Sequence, residues 1–449
     1  MTVDRSRLPA LGPEPSFTFP EIRRRVLASG LRVWTVEHRD VPVLNALLVL
    51  PIGAADDPGD RPGLAAITGD MLDEGSGNLS AIEFHEALGR LGASLDTEVG
   101  SDATILGITT LERFGTRALD LLATLVTSPR FERREFERVR ELRLNRLTQL
   151  RDVPSAVAER TFIERLYAGH PYGHLSIGTD SSLNALAIED VAAFHDTRYD
   201  PSFGTLILVG DGTHEELAAL GDAAFSGWAP SVHRQRGVRS PAAPALPDDR
   251  LVLVHRPGAA QSELRMGHVS VPRSTPDYHA LLTLNMILGG QFVSRINMNL
   301  RERKGYTYGA RTGFDLRRGP GPFSLQASVQ SEPTAEAIKE ALGEIEAIRG
   351  ERPVTEEELL LGRAALTRGY PRNFETGDQI ARAAAQLALY ELPDDYFTRF
   401  VPTVLSLTPE DVTRAARTYI HPDRLLTVVV GNRDVIGASV ESLGRVTAV

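Results

Sequence analysis

The chain of 449 residues repeats itself. Pro51, at the end of an apolar run, is answered by Pro272. Glu189-Asp190-Val191 is answered by Glu410-Asp411-Val412, Pro201 by Pro422 and Gly210 by Gly431, always 221 residues later. One offset held across all these landmarks is not a chance agreement, so the chain must build one kind of unit twice. Both copies end alike, with a helix carrying Glu-Asp-Val, a proline, and an apolar strand closed by Val-Gly. In each copy a strand-rich start leads into long helices and then into that last strand. This order predicts an α+β unit, a mostly antiparallel sheet with helices on one face.

Periodicity places the elements. Strands are predicted at Leu27–Glu37 and Val41–Pro51, read as a hairpin, then at Ser94–Val99, Ala103–Thr110 and Gly204–Val209. Helices are predicted from Gly63 to Met71, from the Ser80-Ala-Ile-Glu83 capping box to Gly92, and over 114–127, 132–149, 155–167 and 188–197. Residues 226–249 contain Trp228-Ala-Pro, Arg236-Gly and Pro241-Ala-Ala-Pro-Ala-Leu-Pro, the composition of a linker. The division is an extended arm at 1–20, a first unit at 21–225, the linker at 226–249, and a second unit at 250–449.

Composition excludes several functions. Cysteine is absent, which removes disulfides, thiol nucleophiles and cysteine-ligated metals. The net charge of -10 argues against nucleic acid or an anionic membrane as partner. No apolar run reaches membrane-spanning length and no apolar signal core opens the sequence, so a cytoplasmic protein is expected. Neither a Gly-x-Ser-x-Gly elbow nor a Gly-Lys-Ser/Thr phosphate loop is found, and Gly309 and Gly319-Pro-Gly-Pro read as turns.

The richest stretch runs from Leu288-Gly-Gly to Tyr308. Phe292, Ile296 and Leu300 fall on one helical face. Arg301 stands where a cation suits a helix C-terminus, Gly305 ends the helix, and Tyr306-Thr307-Tyr308 begins a strand. Two readings are open. The guanidinium and the phenol clamp a peptide carbonyl, or Arg301 caps a helix while Tyr308 fills a strand.

Leu288-Gly-Gly-x-Phe-x-Ser-Arg-x-Asn297 and Leu300-Arg-Glu-x-x-Gly-x-x-Tyr308 together resemble the C-terminal-half signature of the M16 metallopeptidases, the pitrilysin, insulin-degrading and mitochondrial-processing group. The resemblance implies two alike halves and substrate contact by Arg301 and Tyr308, with Lys304 and Tyr306 as weaker candidates lining the wall. Active relatives carry His-x-x-Glu-His on the first helix, two zinc ligands flanking the glutamate that activates water. The equivalent stretch here aligns through Gly63-Leu64-Ala65, Met71-Leu72, Gly75 and Asn78-Leu79-Ser80. It puts Ala66 and Asp70 at the histidine positions and Gly69 at the glutamate. The third ligand falls near Asn145 or Arg146. No metal is therefore expected in this chain.

Other clusters have ordinary readings. His170 and His174 lie in a Pro/Gly loop, His85 sits beside Glu86 in a helix, and Asp70, Asp73 and Glu74 read as a solvated helix end. The resemblance thus implies a zinc-less, substrate-contacting subunit of a heterodimeric peptidase. Zinc would come from a homologous partner bearing His-x-x-Glu-His, and unfolded peptides would be the substrate, bound in part along an edge strand of the first half. A homodimer of the isolated chain is also open. The alternatives are a non-enzymatic scaffold of the same fold and a self-contained hydrolase with a relocated metal site.

Overall fold

The apolar runs become two six-stranded sheets in the computed structural model, which describes residues 17–238 and 241–449. The first contains β1 (Arg23–Val26), β2 (Arg32–Glu37), β3 (Val43–Leu50), β4 (Ser94–Val99), β5 (Thr104–Leu111) and β6 (Thr205–Gly210). Its spatial order is β1-β2-β6-β3-β5-β4. The second contains β7 (Leu251–His255), β8 (Gln261–Val269), β9 (Thr307–Phe314), β10 (Pro322–Gln330), β11 (Leu426–Gly431) and β12 (Thr447–Ala448), in the order β12-β7-β11-β8-β10-β9. Five strands of each order correspond one to one, as the repeat requires, but the outer strand beside them comes from the start of the first unit (β1) and from the end of the second (β12). Pairing is antiparallel except for β2 with β6, β7 with β11, and β7 with β12.

The expected hairpin of β2 with β3 does not form. β6 lies between them, parallel to β2 and antiparallel to β3. All six residues of Thr205–Gly210 are buried, and a strand apolar on both faces belongs at a sheet centre. β2 turns back on β1 instead, through Gly30 at φ 89°.

The expectation of one covered face also needs correction, because each sheet is covered on both. One face carries the half's own helices, including α1 (Leu64–Asp70) in the first half and α4 (Tyr278–Asn285) in the second. The other face is covered by a helix from the opposite half. α3 (Pro154–Tyr167) lays Ala158, Phe162 and Ile163 on Val252, Leu426 and Val428 of the second sheet. Reciprocally, α5 (Gly377–Tyr390) lays Ile380, Ala384 and Leu387 on Trp34, Leu47 and Ile207 of the first. Such side chains contribute about 1.5–3 kcal/mol each when buried, so neither half shields its own sheet without the other. Between α1 and α3 runs the long α2 (Arg133–Arg151).

Polar ties reinforce this exchange. Arg265 Nε donates to Glu159 Oε2 at 3.0 Å, and the Arg318 and Gly319 amides donate to Asp102 Oδ2 at 2.7 Å and Tyr172 Oη at 3.0 Å. The described end of the N-terminal arm packs on the second half, with Phe17 stacked on Phe374 at 4.5 Å and Phe19 buried. Residues 1–16 of that arm lie outside the described residues, as do 239 and 240 of the linker. The described part of 226–249 holds no helix or strand.

Candidate functional site

Two glycines set the geometry at the end of α4. The helix widens into a π-type turn over Met286–Gly290. A Cβ on Gly289 would stand 2.6 Å from Thr312 Oγ1, and one on Gly290 would stand 2.7 Å from Asn285 Nδ2. Only bare backbone lets this turn approach β9 so closely.

The next helix begins at Arg295, later than the sequence pattern predicts, and widens again to a π-type turn over Met298–Arg303. Ile296 and Leu300 enter the core, but Phe292 precedes the helix and is 70 % exposed. It forms a platform for Arg301, whose guanidinium carbon lies 3.3 Å from the ring centroid. Arg301 Nη2 donates to the Phe292 carbonyl at 2.9 Å, and Nε to Glu302 at 2.8 Å. Arg301 therefore reaches back toward the loop and does not cap the helix C-terminus. Gly305 at φ 68° ends the helix.

β9 is an edge strand, and Tyr308 sits in an irregularity between Thr307 and Ala310 where the register with β10 shifts. Thr307 Oγ1 holds this bulge, donating to Ser328 O at 2.6 Å and accepting from Gly309 N at 3.0 Å. Gly309 is thus part of a strand bulge, not a turn. The bulge turns Tyr308 outward, 94 % exposed. Asn297 ties helix to strand. Its Nδ2 donates to Ala310 O at 2.9 Å and its Oδ1 accepts from Ala310 N at 2.8 Å.

Arg301 and Tyr308 line one cleft of about 730 Å³, together with Phe292, Arg311, Glu263 and Arg265. Arg265 is held by Glu159, whereas Arg311 is exposed. The cleft presents a phenol, three guanidinium groups and an edge strand, a set of donors suited to peptide carbonyls. Lys304 and Tyr306 do not line it: Lys304 pairs with Glu340 at 2.6 Å, and Tyr306 packs against the second core. The sequence reading assigned Asn297 and Arg311 no role at the site and set Phe292 on a helix face. A polar residue beside Ile296 on an otherwise apolar helix face was the available signal for Asn297.

The degenerate positions lie elsewhere. Ala66 and Gly69 are buried in α1, and Asp70 ends it. A Cβ at Gly69 would stand 2.7 Å from Val99 Cγ2, so β4 occupies the space of a longer side chain there. Asp70 is paired with Arg143 of α2, which also donates to Ser176 O at 2.8 Å. The carboxylates read as solvated are in fact paired, Glu74 with Arg138 and Asp73 with His85 at 3.4 Å. Burial raises the Asp73 carboxyl above its ordinary value, opposed by His85. These groups line a second cleft of about 460 Å³, which shares no residue with the first and includes Arg146. His170 and His174 are structural, the former bonded to Ala242 O at 2.7 Å and the latter to Asp57 at 3.0 Å.

Against family models, residues 32–180 match "Insulinase (Peptidase family M16)" and residues 185–366 match "Peptidase M16 inactive domain". The chain belongs to the M16 peptidase family. An uncharacterized zinc protease of Mycobacterium tuberculosis is 26% identical over 352 residues, covering 77% of this chain and 79% of that one. Another from Streptomyces coelicolor is 22% identical over 425 residues, covering 91% and 89%. A solved peptidase M16 inactive domain from Pseudomonas fluorescens superimposes with a TM-score of 0.85 at 25% identity, over 92% of this chain and 98% of that one. The first M16 unit as folded extends past the first matched segment, since β6 belongs to the first sheet.

Zinc does not fit the family's metal position in this M16 chain. Asp70 is the one ligand type among the three α1 positions, and Arg143 puts a cation where a dication would need donors. Among the described residues no three His, Asp or Glu side chains group closely enough to hold a metal. No helix among them is long and apolar enough to cross a membrane.

Proposed function

We propose that this chain is the zinc-less, substrate-contacting subunit of a paired M16 peptidase, acting on peptides with a homologous partner that bears His-x-x-Glu-His. The observation that supports this reading is an asymmetry. The Arg301–Tyr308 cleft is built and braced, by Asn297, the bulge and Phe292, while Val99 and Arg143 close the metal position.

Arg301 would hold a substrate backbone carbonyl, and its Nη1 makes no hydrogen bond among the described residues. Tyr308 would donate to the oxygen on which negative charge grows as the peptide bond is attacked. The chain's own residues bind and orient, and the attacking water is the partner's to activate. Of the first sheet's edges, β4 adjoins the degenerate position through Val99 and is the proposed strand for adding substrate.

The test is hydrolysis of a quenched peptide panel, with zinc, by this chain alone, by the partner alone and by the mixture. Activity only in the mixture supports the reading. Inactivity of a mixture whose partner holds zinc replaces it with a non-enzymatic scaffold of the same fold. Activity of this chain alone refutes it.

A further inference from the structure

A third cavity, of about 560 Å³, lies between the two halves and contains a buried cation without a counter-charge. Arg273 is 5 % exposed. Its Nη2 donates to Tyr396 Oη at 2.7 Å, and its guanidinium lies 3.5 Å from the centroid of Tyr278 and 4.9 Å from that of Tyr396. No Asp or Glu among the described residues comes within ion-pairing distance of it. Aromatic faces attract a guanidinium, but they do not neutralise it, and a buried charge without a partner is costly.

The carboxylates bordering the same cavity are already engaged. Asp102 accepts from Tyr172 Oη at 2.5 Å and from the Arg318 amide at 2.7 Å. Asp315 pairs with Arg317 at 2.7 Å, and Glu98 with Arg382 at 3.5 Å. Tyr390 also borders the space, with its ring 5.7 Å from the guanidinium. Burial pushes its hydroxyl up to about 12, so it is a neutral hydrogen-bond donor.

The cavity meets the ends of two edge strands, at Glu98 in β4 and Gly100 just after it, and at Phe314 in β9 and Asp315 just after it. Tyr308 stands at the opposite end of β9. A peptide beside β9 advances about 3.3 Å per residue, so roughly six residues separate the Tyr308 cleft from the cavity.

We propose that this cavity is a carboxylate subsite in which Arg273 supplies the charge and Tyr390 a second donor for the carboxylate of a peptide held in the Arg301–Tyr308 cleft. It rests on the peptide-contacting reading. The carboxylate is either the chain terminus or an acidic side chain.

Fluorescence anisotropy on the full chain distinguishes them, using an N-terminally labelled peptide with a free acid or amide end, each with Glu or Gln before the last residue. The carboxylate that matters tightens binding by about tenfold or more, and Arg273→Met abolishes the difference. Equal binding of all four peptides to the wild-type chain overturns the proposal without any variant. If Arg273→Met does not fold, Tyr390→Phe must lower the same ratio. A separate arm compares thermal shifts with sodium succinate and sodium chloride at equal ionic strength. If none of the four peptides binds at all, stabilisation by succinate that depends on Arg273 keeps the carboxylate site and sinks the peptide-contacting reading. Peptide binding indifferent to carboxylates, with no succinate effect, does the reverse.

Discussion

Val99 fills the space that a side chain at position 69 would need, its Cγ2 standing 2.7 Å from the place of a Gly69 Cβ. An exposed helical glycine gains about 0.5–1 kcal/mol on becoming alanine. Here overpacking wins, at about 1–3 kcal/mol. Gly69→Ala therefore lowers the urea midpoint, and Val99→Ala in the same chain restores part of the loss. A double-mutant cycle with no coupling between the two sites would contradict the contact.

The outward position of Tyr308 separates its function from stability. With 94 % of its surface exposed, Tyr308→Phe leaves the melting temperature unchanged. In the reconstituted pair it lowers turnover by roughly 10²-fold, the lower end for loss of one transition-state donor. Unchanged turnover would remove the phenol from the mechanism.

Asn297 bridges the helix and β9 through both ends of its amide. Asn297→Ala leaves the Ala310 N–H and carbonyl without these partners, at about 1–3 kcal/mol for each buried group left unsatisfied. Asn297→Asp keeps the acceptor and loses the donor, so it costs less than the alanine variant if the amide hydrogen bond at Ala310 N dominates. Hydrogen exchange at Ala310, faster in both variants, checks that the effect is local.

Much of this was legible in sequence. The repeated Pro and Gly landmarks fixed two alike units because the same strand ends and turns recur at one spacing. Ala66 and Gly69 carry no donor atom, which is legible in the sequence, whereas the packing of Val99 beside Gly69 is not. Phe292 was misread because helical spacing continues through a residue whose backbone has not yet turned into the helix. The capping reading of Arg301 fails for the same reason, since its ring platform lies in that preceding loop.

Acid destabilisation should follow His268. Burial pushes it down to about 4, and its ring nitrogens are bonded to Val269 O and the His421 amide. The unfolded chain titrates near 6.5, above the folded value, so the unfolded state takes up the proton first. The contribution is complete above about 6.5 and is lost as pH falls toward about 4, at about 1.4 kcal/mol per unit. Urea midpoints from pH 7 to pH 5 should fall less steeply in His268→Gln than in the wild type.

The sequence by itself determined that two α+β units exist and that α1 carries no histidine and a single carboxylate. Those are local properties, set by side-chain chemistry and by the period of each element. The tertiary structure alone decided what covers each apolar face. β6 separates β2 from β3, α3 and α5 cross to the opposite sheets, and Val99 enters the gap beside Gly69. Periodicity reports that a face must be buried, but the hydrophobic effect is non-directional, so only the packed chain selects the partner.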